Sequence, residues 1–184
     1  MKIFLGGFWD PYRARRYKDE SIALGKLLAE KKYDLYVGPG SGIVSYVLEG
    51  MKQVDDRGKI IFYLPSKKDL VKFGEDIGDF ADEVMELDGH YTERIMSIAK
   101  ETDAYIAIGG AAGTLYEMIT MMFFKKPVAM MTDTGSASNA ARFLGGLRNY
   151  YFEGNTAEEL VDYIESASID TNIPEEGIDW YDEE

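Results

Sequence analysis

Tyr105-Ile106-Ala107-Ile108-Gly109-Gly110-Ala111-Ala112-Gly113-Thr114-Leu115-Tyr116-Glu117 carries the reading of the fold. A short apolar run stops in paired glycines, and a new element starts within a few residues, which is the pattern of a buried strand turning into a helix. The same pattern recurs outward in both directions. Ile3 to Leu5, Leu35 to Val37, Ile60 to Leu64 and Val128 to Met131 also read as buried strands, and short, fully apolar runs of this kind suit a parallel sheet covered on both faces. Between them Tyr17, Leu24, Leu27 and Leu28 fall on one helical face, as do Val44, Val47, Leu48 and Met51, then Ile95, Ile98 and Ala99. Near the end Ala157, Leu160, Val161 and Ile164 repeat the spacing, with Thr156 and Glu159 placed as a capping box. Strands alternating with helices mean β/α crossovers, so the expected architecture is α/β, a Rossmann-like doubly wound, mainly parallel sheet flanked by helices.

One domain is expected over residues 1–168, followed by an acidic tail over 169–184. The tail holds Asp170, Glu175, Glu176, Asp179, Asp182, Glu183 and Glu184 without a lysine or arginine, and reads as a solvated end that Trp180 and Tyr181 could pin to a surface. Residues 66–90 are less regular, with room for a short helix and an edge strand. The 184 residues are 46% hydrophobic and 13% aromatic, enough to bury a core. Zero cysteines remove thiol nucleophiles and Cys-ligated metals and point to a reducing, cytoplasmic location. A single histidine, His90, leaves little for histidine-rich metal sites or a Ser-His-Asp triad. The opening MKIFLGG carries no charged leader, and no apolar run reaches membrane-spanning length, so neither secretion nor a membrane is expected. The net charge of −13 repels a phosphate backbone, which argues against a nucleic acid partner.

In an open α/β sheet, ligands gather beyond the carboxyl ends of the strands. Three strand-to-helix loops here are rich in glycine: Gly6 and Gly7; Gly38, Pro39, Gly40, Ser41 and Gly42; and Gly109, Gly110, Ala111, Ala112, Gly113 and Thr114. In the third, small residues let backbone N–H groups approach an anion at the positive end of a helix, so phosphate would sit there. The plainer alternative is that a tight turn simply needs glycine. No G-x-G-x-x-G and no G-x-x-x-x-G-K-[ST] is present, which weakens the ordinary dinucleotide and P-loop readings.

Glu117 lies three residues after Thr114. It could close a capping box with Thr114, or it could place a carboxylate near the sugar of a bound nucleotide, to steady an oxocarbenium-like centre or attack it. Arg94 could clamp phosphate or a departing base, or be a solvated side chain. His90 could act as a base, although a lone loop histidine is more often incidental. Met118, Met121, Met122, Phe123 and Phe124 read as core packing, with a subunit contact as the rival.

Taken together, the stretch from Gly109 to Glu117 resembles the PGGxGTxxE signature of the LOG family, the cytokinin riboside 5′-monophosphate phosphoribohydrolase-like proteins once called possible lysine decarboxylases. Glu93-Arg94 stand where that family has Glu-Arg-Lys, the Gly38, Gly40, Gly42 pattern is similar to its GGGSVG loop, and the likeness spans most of Lys2 to Ile164. Ile108 replaces the motif's proline and Ile95 its lysine. The resemblance implies a homodimer that hydrolyses the N-glycosidic bond of a nucleoside 5′-monophosphate. It makes Arg94 and Glu117 the catalytic pair and Gly109, Gly110, Ala111, Gly113 and Thr114 the phosphate holders, with Gly6, Gly7, Gly38, Gly40, Ser41 and Gly42 as further ligand contacts. It implies no cofactor and no metal. MKIFLGGFWDP, with Gly113-Thr114-Leu115-Tyr116-Glu117 and Lys126-Pro127-Val128, also looks like nucleoside 2-deoxyribosyltransferases and related N-hydrolases, in which the glutamate is the nucleophile. A third likeness is to molybdenum cofactor carriers and nucleotide-signal sensors, which bind a phosphorylated ligand without turnover.

Overall fold

The computed structural model describes residues 1–66, 79–87, 89–143 and 150–169. Among them one sheet holds β1 (Lys2–Gly7), β2 (Asp34–Val37), β3 (Ile60–Leu64), β4 (Glu83–Glu86), β5 (Ala104–Ile108), β6 (Val128–Met131) and β7 (Phe152–Gly154). Its order is β4-β3-β2-β1-β5-β6-β7, and every pairing is parallel. The helices are α1 (Pro11–Ala14), α2 (Lys18–Glu30), α3 (Ile43–Met51), α4 (Tyr91–Glu101), α5 (Ala112–Phe123), α6 (Ser136–Phe143) and α7 (Ala157–Ile169), with a 3₁₀ turn at Arg15–Tyr17.

Successive strand side chains go to opposite faces, so each apolar run feeds two cores. Ile3, Leu5, Leu35, Val37, Ile106 and Ile108 pack with Leu24 and Leu28 of α2, Ile43 and Val47 of α3 and Leu160 of α7. Phe4, Tyr36, Tyr105 and Ala107 pack on the other face with Ile95 of α4, Met118 and Met121 of α5 and Ala137 of α6. The methionines Met118, Met121 and Met122 are therefore core residues, while Phe123 stands 66% exposed. The strand order reverses between β1 and β5, where Gly6 pairs with Ala107 and Gly7 with Ile108. The helix following β1 lies on one face and the helix following β5 on the other. That divergence opens a crevice at the carboxyl ends of the two central strands.

The expected strands and helices are present, and the differences lie in weakly patterned segments. β4 is the edge strand expected within 66–90, an exposed Glu-Val-Met-Glu whose charges blunt the sheet edge. The short helix expected within the same stretch is not among the described elements, because residues 67–78 lie outside those described, as do 170–184 of the acidic tail. β7 is three residues long, and the buried apolar side chains of α6 are alanines, so neither presents large apolar side chains at a readable spacing. The capping box of α7 is offset: Glu159 N–H donates to Thr156 Oγ1 at 3.2 Å, but the Glu159 carboxylate accepts from Asn155 N–H rather than from Thr156. Among the described residues no helix is long and apolar enough to cross a membrane.

Candidate active site

A cavity of about 470 Å³ occupies the crevice, lined by Gly7 at the end of β1, Phe8, Trp9 and Asp10 of the loop after it, Arg13 of α1, Tyr91 of α4, Ala111 of the loop after β5, and Gly113, Thr114 and Glu117 of α5. Its volume is in the range of small-molecule sites. Of the residues singled out in the sequence, Gly7, Ala111, Gly113, Thr114 and Glu117 form its wall. Gly6, Gly109 and Gly110 lie just behind it, and the loop 38–42 braces the β1 loop from outside. There Ile43 N–H donates to Phe8 O at 2.9 Å and Ser41 Oγ to Trp9 O at 3.1 Å.

The helix cap removes one of the two readings of Glu117. The N-cap of α5 is Ala111, which has no side chain to offer the first-turn N–H groups, and Thr114 lies within the helix. Thr114 and Glu117 therefore do not form a capping box. Instead Glu117 is 7% exposed, and its Oε2 accepts a hydrogen bond from the Tyr105 hydroxyl at 2.9 Å. Burial and the adjacent Glu117 charge push the Tyr105 phenol well above its ordinary value, so it stays a neutral donor. Gly6 is the seat for this pair, since a Cβ there would stand 2.0 Å from Tyr105 Oη and 2.5 Å from Glu117 Oε2.

Gly113 has no such packing reason. A Cβ at this position would meet nothing within 4 Å, in a helical turn where glycine costs stability. What lies in front of it is the cavity.

Arg94 is 2% exposed, which excludes the solvated reading. Its guanidinium lies 3.9 Å from the centre of the Tyr91 ring, and Nε and Nη1 have no hydrogen-bond partner among the described residues. Gly38 gives it room, because a Cβ there would come 1.9 Å from Nη1. Tyr91 rather than Arg94 faces the cavity. Buried polar groups are nearly always satisfied, so two guanidinium nitrogens without a partner among the described residues, beneath a tyrosine of the cavity wall, make Arg94 a candidate. His90 is the N-cap of α4 without a side-chain capping bond.

Arg13 and Tyr91 were not singled out in the sequence, and Trp9 and Asp10 entered only within the opening MKIFLGGFWDP. Asp10-Pro11 was a readable sign of a helix start: Asp10 Oδ1 accepts from Tyr12 N–H at 2.9 Å with Pro11 in the first turn. It places the 67%-exposed Trp9 at the cavity lip. Among the described residues no three His, Cys, Asp or Glu side chains come together as a metal site.

The model of the SLOG cluster4 family matches residues 11–160. The chain belongs to that family. The LOG resemblance read from Gly109–Glu117 holds for this SLOG cluster4 protein. It is 30% identical over 131 residues to a probable cytokinin riboside 5′-monophosphate phosphoribohydrolase of Oryza sativa subsp. japonica, covering 67% of this chain and 55% of that one. It is 32% identical over 133 residues to the rice cytokinin riboside 5′-monophosphate phosphoribohydrolase LOG, covering 67% and 51%. The SLOG cluster4 chain thus spans about half the length of these two relatives. An uncharacterised protein of Archaeoglobus fulgidus is 30% identical over 146 residues, covering 79% and 83%. Among solved structures, TM1055 superposes with a TM-score of 0.76 at 22% identity, covering 90% of this chain and 98% of that one. The molybdenum cofactor carrier protein of Chlamydomonas reinhardtii gives 0.71 at 19%, covering 90% and 97%. Both share the fold.

Proposed function

We propose that this SLOG cluster4 protein binds a nucleoside 5′-monophosphate in the cavity at the β1/β5 switch point and hydrolyses its N-glycosidic bond. The observation that carries the reading is the buried Glu117 carboxylate, fixed by Tyr105, one turn beyond an uncapped helix start on which Gly113 leaves open space. The phosphate rests on the N–H groups of the first turn of α5. Glu117 then faces the ribose and stabilises the positive charge that develops on C1′ as its bond to the base breaks. Water adds its oxygen to C1′, and its proton leaves with the base, giving free base and ribose 5-phosphate. Arg94 is the cation of the pair and engages phosphate or leaving group once the Tyr91 ring moves aside. The rice relatives' names support this chemistry.

A second reading is a carrier or sensor that holds a phosphorylated ligand without turnover. Arg94 favours it, because its guanidinium lies beneath Tyr91 and outside the cavity wall.

The test is incubation of the purified protein with ribo- and deoxyribonucleoside 5′-monophosphates and chromatography for free base, with Glu117→Gln as control. Release from one substrate, lost in the variant while binding persists, supports hydrolysis, and the sugar distinguishes a ribohydrolase from a deoxyribosyltransferase-like enzyme. No release, with a thermal shift by a phosphorylated ligand, selects the carrier.

A further inference from the structure

We propose that the chain binds nucleotides carrying a second phosphate, which an arginine-lined pocket beside the first cavity holds. This rests on the reading that the first cavity takes a phosphorylated nucleoside. A second cavity of about 500 Å³ lies against the first, with Arg13, Arg15 and Arg16 on one wall and Asp133, Thr134 and Asn139 on the other. Arg13 and Phe8 line both cavities.

The partition between them is the Phe8 ring. A Cβ at Gly109 would lie 2.2 Å from its Cε2 and one at Gly135 2.4 Å from its Cζ, so the absence of side chains at these two glycines makes room for the ring. Thr134 joins the walls, accepting from Gly109 N–H at 2.7 Å and donating to Met131 O at 2.8 Å. The arginine pocket is therefore fixed to the same loop that leads into α5.

Charge argues for an anion in it. The chain carries a net −13, a field that repels phosphate at long range, yet three arginines are collected within four residues of a cavity wall. The one carboxylate across from them, Asp133, is engaged by Arg142 at 2.8 Å. On the first-cavity side, Asp10 lies 3.8 Å from Arg13 and spends its other oxygen on Tyr12 N–H. The Arg15 guanidinium stacks 4.1 Å from the Tyr12 ring centre, which orients the fork while leaving its N–H edge for a bidentate phosphate contact. A single phosphate on the first turn of α5 has no use for this cluster. A second one extending past Phe8 does.

Titration calorimetry with the 5′-mono- and 5′-diphosphates of adenosine, guanosine, cytidine and uridine tests this, in wild type and in Arg15→Gln/Arg16→Gln, two exposed positions whose change leaves the fold intact. For at least one base the diphosphate is expected to bind about tenfold tighter than the monophosphate. The double variant should reduce the gap to about twofold with monophosphate affinity retained, and ionic strength near about 0.5 M should narrow it in wild type. Equal affinities in wild type, or an advantage that survives in the variant, overturn the second site and leave the first-cavity reading standing. Failure of every nucleotide to bind overturns both.

Discussion

The Tyr105 hydroxyl holds the Glu117 carboxylate at 2.9 Å in a space that exists because residue 6 has no side chain. Three elements meet there: the end of β1, the body of β5 and the second turn of α5. The tyrosine is fully buried and its ring packs edge-on against Phe4 at 5.1 Å, so the donor is fixed before any ligand arrives. A preorganised partner of this kind sets where the negative charge points without reorganisation during a reaction.

Tyr105→Phe removes the donor and keeps the ring. Loss of a hydrogen bond to a buried charged group costs about 1–3 kcal/mol of folding stability. In the hydrolase reading kcat should fall about tenfold or more while KM changes little, because the carboxylate acts on charge that develops after binding. Steady-state kinetics beside a urea denaturation curve separates the two effects. An unchanged kcat in the folded variant would show that Tyr105 serves the core alone.

Gly6 and Gly113 should respond in opposite ways to alanine. Gly6→Ala forces a methyl onto Tyr105 Oη and Glu117 Oε2, and the overpacking should destabilise by about 1–3 kcal/mol. Gly113→Ala meets open space and gains helix propensity, so stability should hold or rise by up to about 1 kcal/mol. Its cost should appear instead as weaker binding of a nucleoside monophosphate, since the methyl enters the cavity. Paired thermal melts and titrations read both. A Gly113→Ala protein that binds as wild type would remove the phosphate from this turn.

Arg94→Met tests whether the buried guanidinium, two of whose nitrogens have no partner among the described residues, serves function or stability. Replacing a buried charge with an apolar chain of similar volume is often neutral or stabilising, here by up to about 2 kcal/mol. Base release should drop sharply in the same variant. A large destabilisation instead would mean that stacking on Tyr91 is the residue's main task.

The sheet was legible because its central strands are apolar on both sides, and the wall of the candidate site was legible where glycines break two such runs, after β1 and after β5, but not at the loop 38–42, which lines no part of the cavity. The distinction among those glycines was not. Gly6, Gly38 and Gly113 look alike in sequence, yet the first admits Tyr105 and Glu117, the second admits Arg94, and the third faces the cavity. Only the partner atoms separate them, and those come from elements far along the chain. Tyr105 was hidden for the same reason: within an apolar strand a tyrosine reads as packing until its hydroxyl is seen to meet a carboxylate. Arg13 escaped notice, and Trp9 entered only as part of the opening motif, because the segment they occupy is defined by Asp10 and Pro11, a helix start too short to show a period.

Acid stability should depend on the edge of the sheet away from the site. Asp82 and Ile60 bond reciprocally, the Asp82 N–H to Ile60 O at 2.9 Å and the Ile60 N–H to the Asp82 carboxylate at 2.7 Å, while Arg57 grips the same carboxylate. The Arg57 hydrogen bond chiefly, with the Ile60 N–H, holds the Asp82 carboxyl below its ordinary 3.8 against the opposing effect of burial. A folded-state value below the unfolded one means that the unfolded chain takes up the proton first. The stabilisation is therefore complete above the ordinary value and drains away as pH falls through the lower, folded one. Denaturant midpoints measured from about pH 6 down to about pH 3 should fall more steeply for wild type than for Asp82→Asn. The difference should be about 1 kcal/mol or less, because the Asp82 side chain is 37% exposed and solvent screens the pair. Parallel slopes would show that β4 is held by its backbone ladder alone.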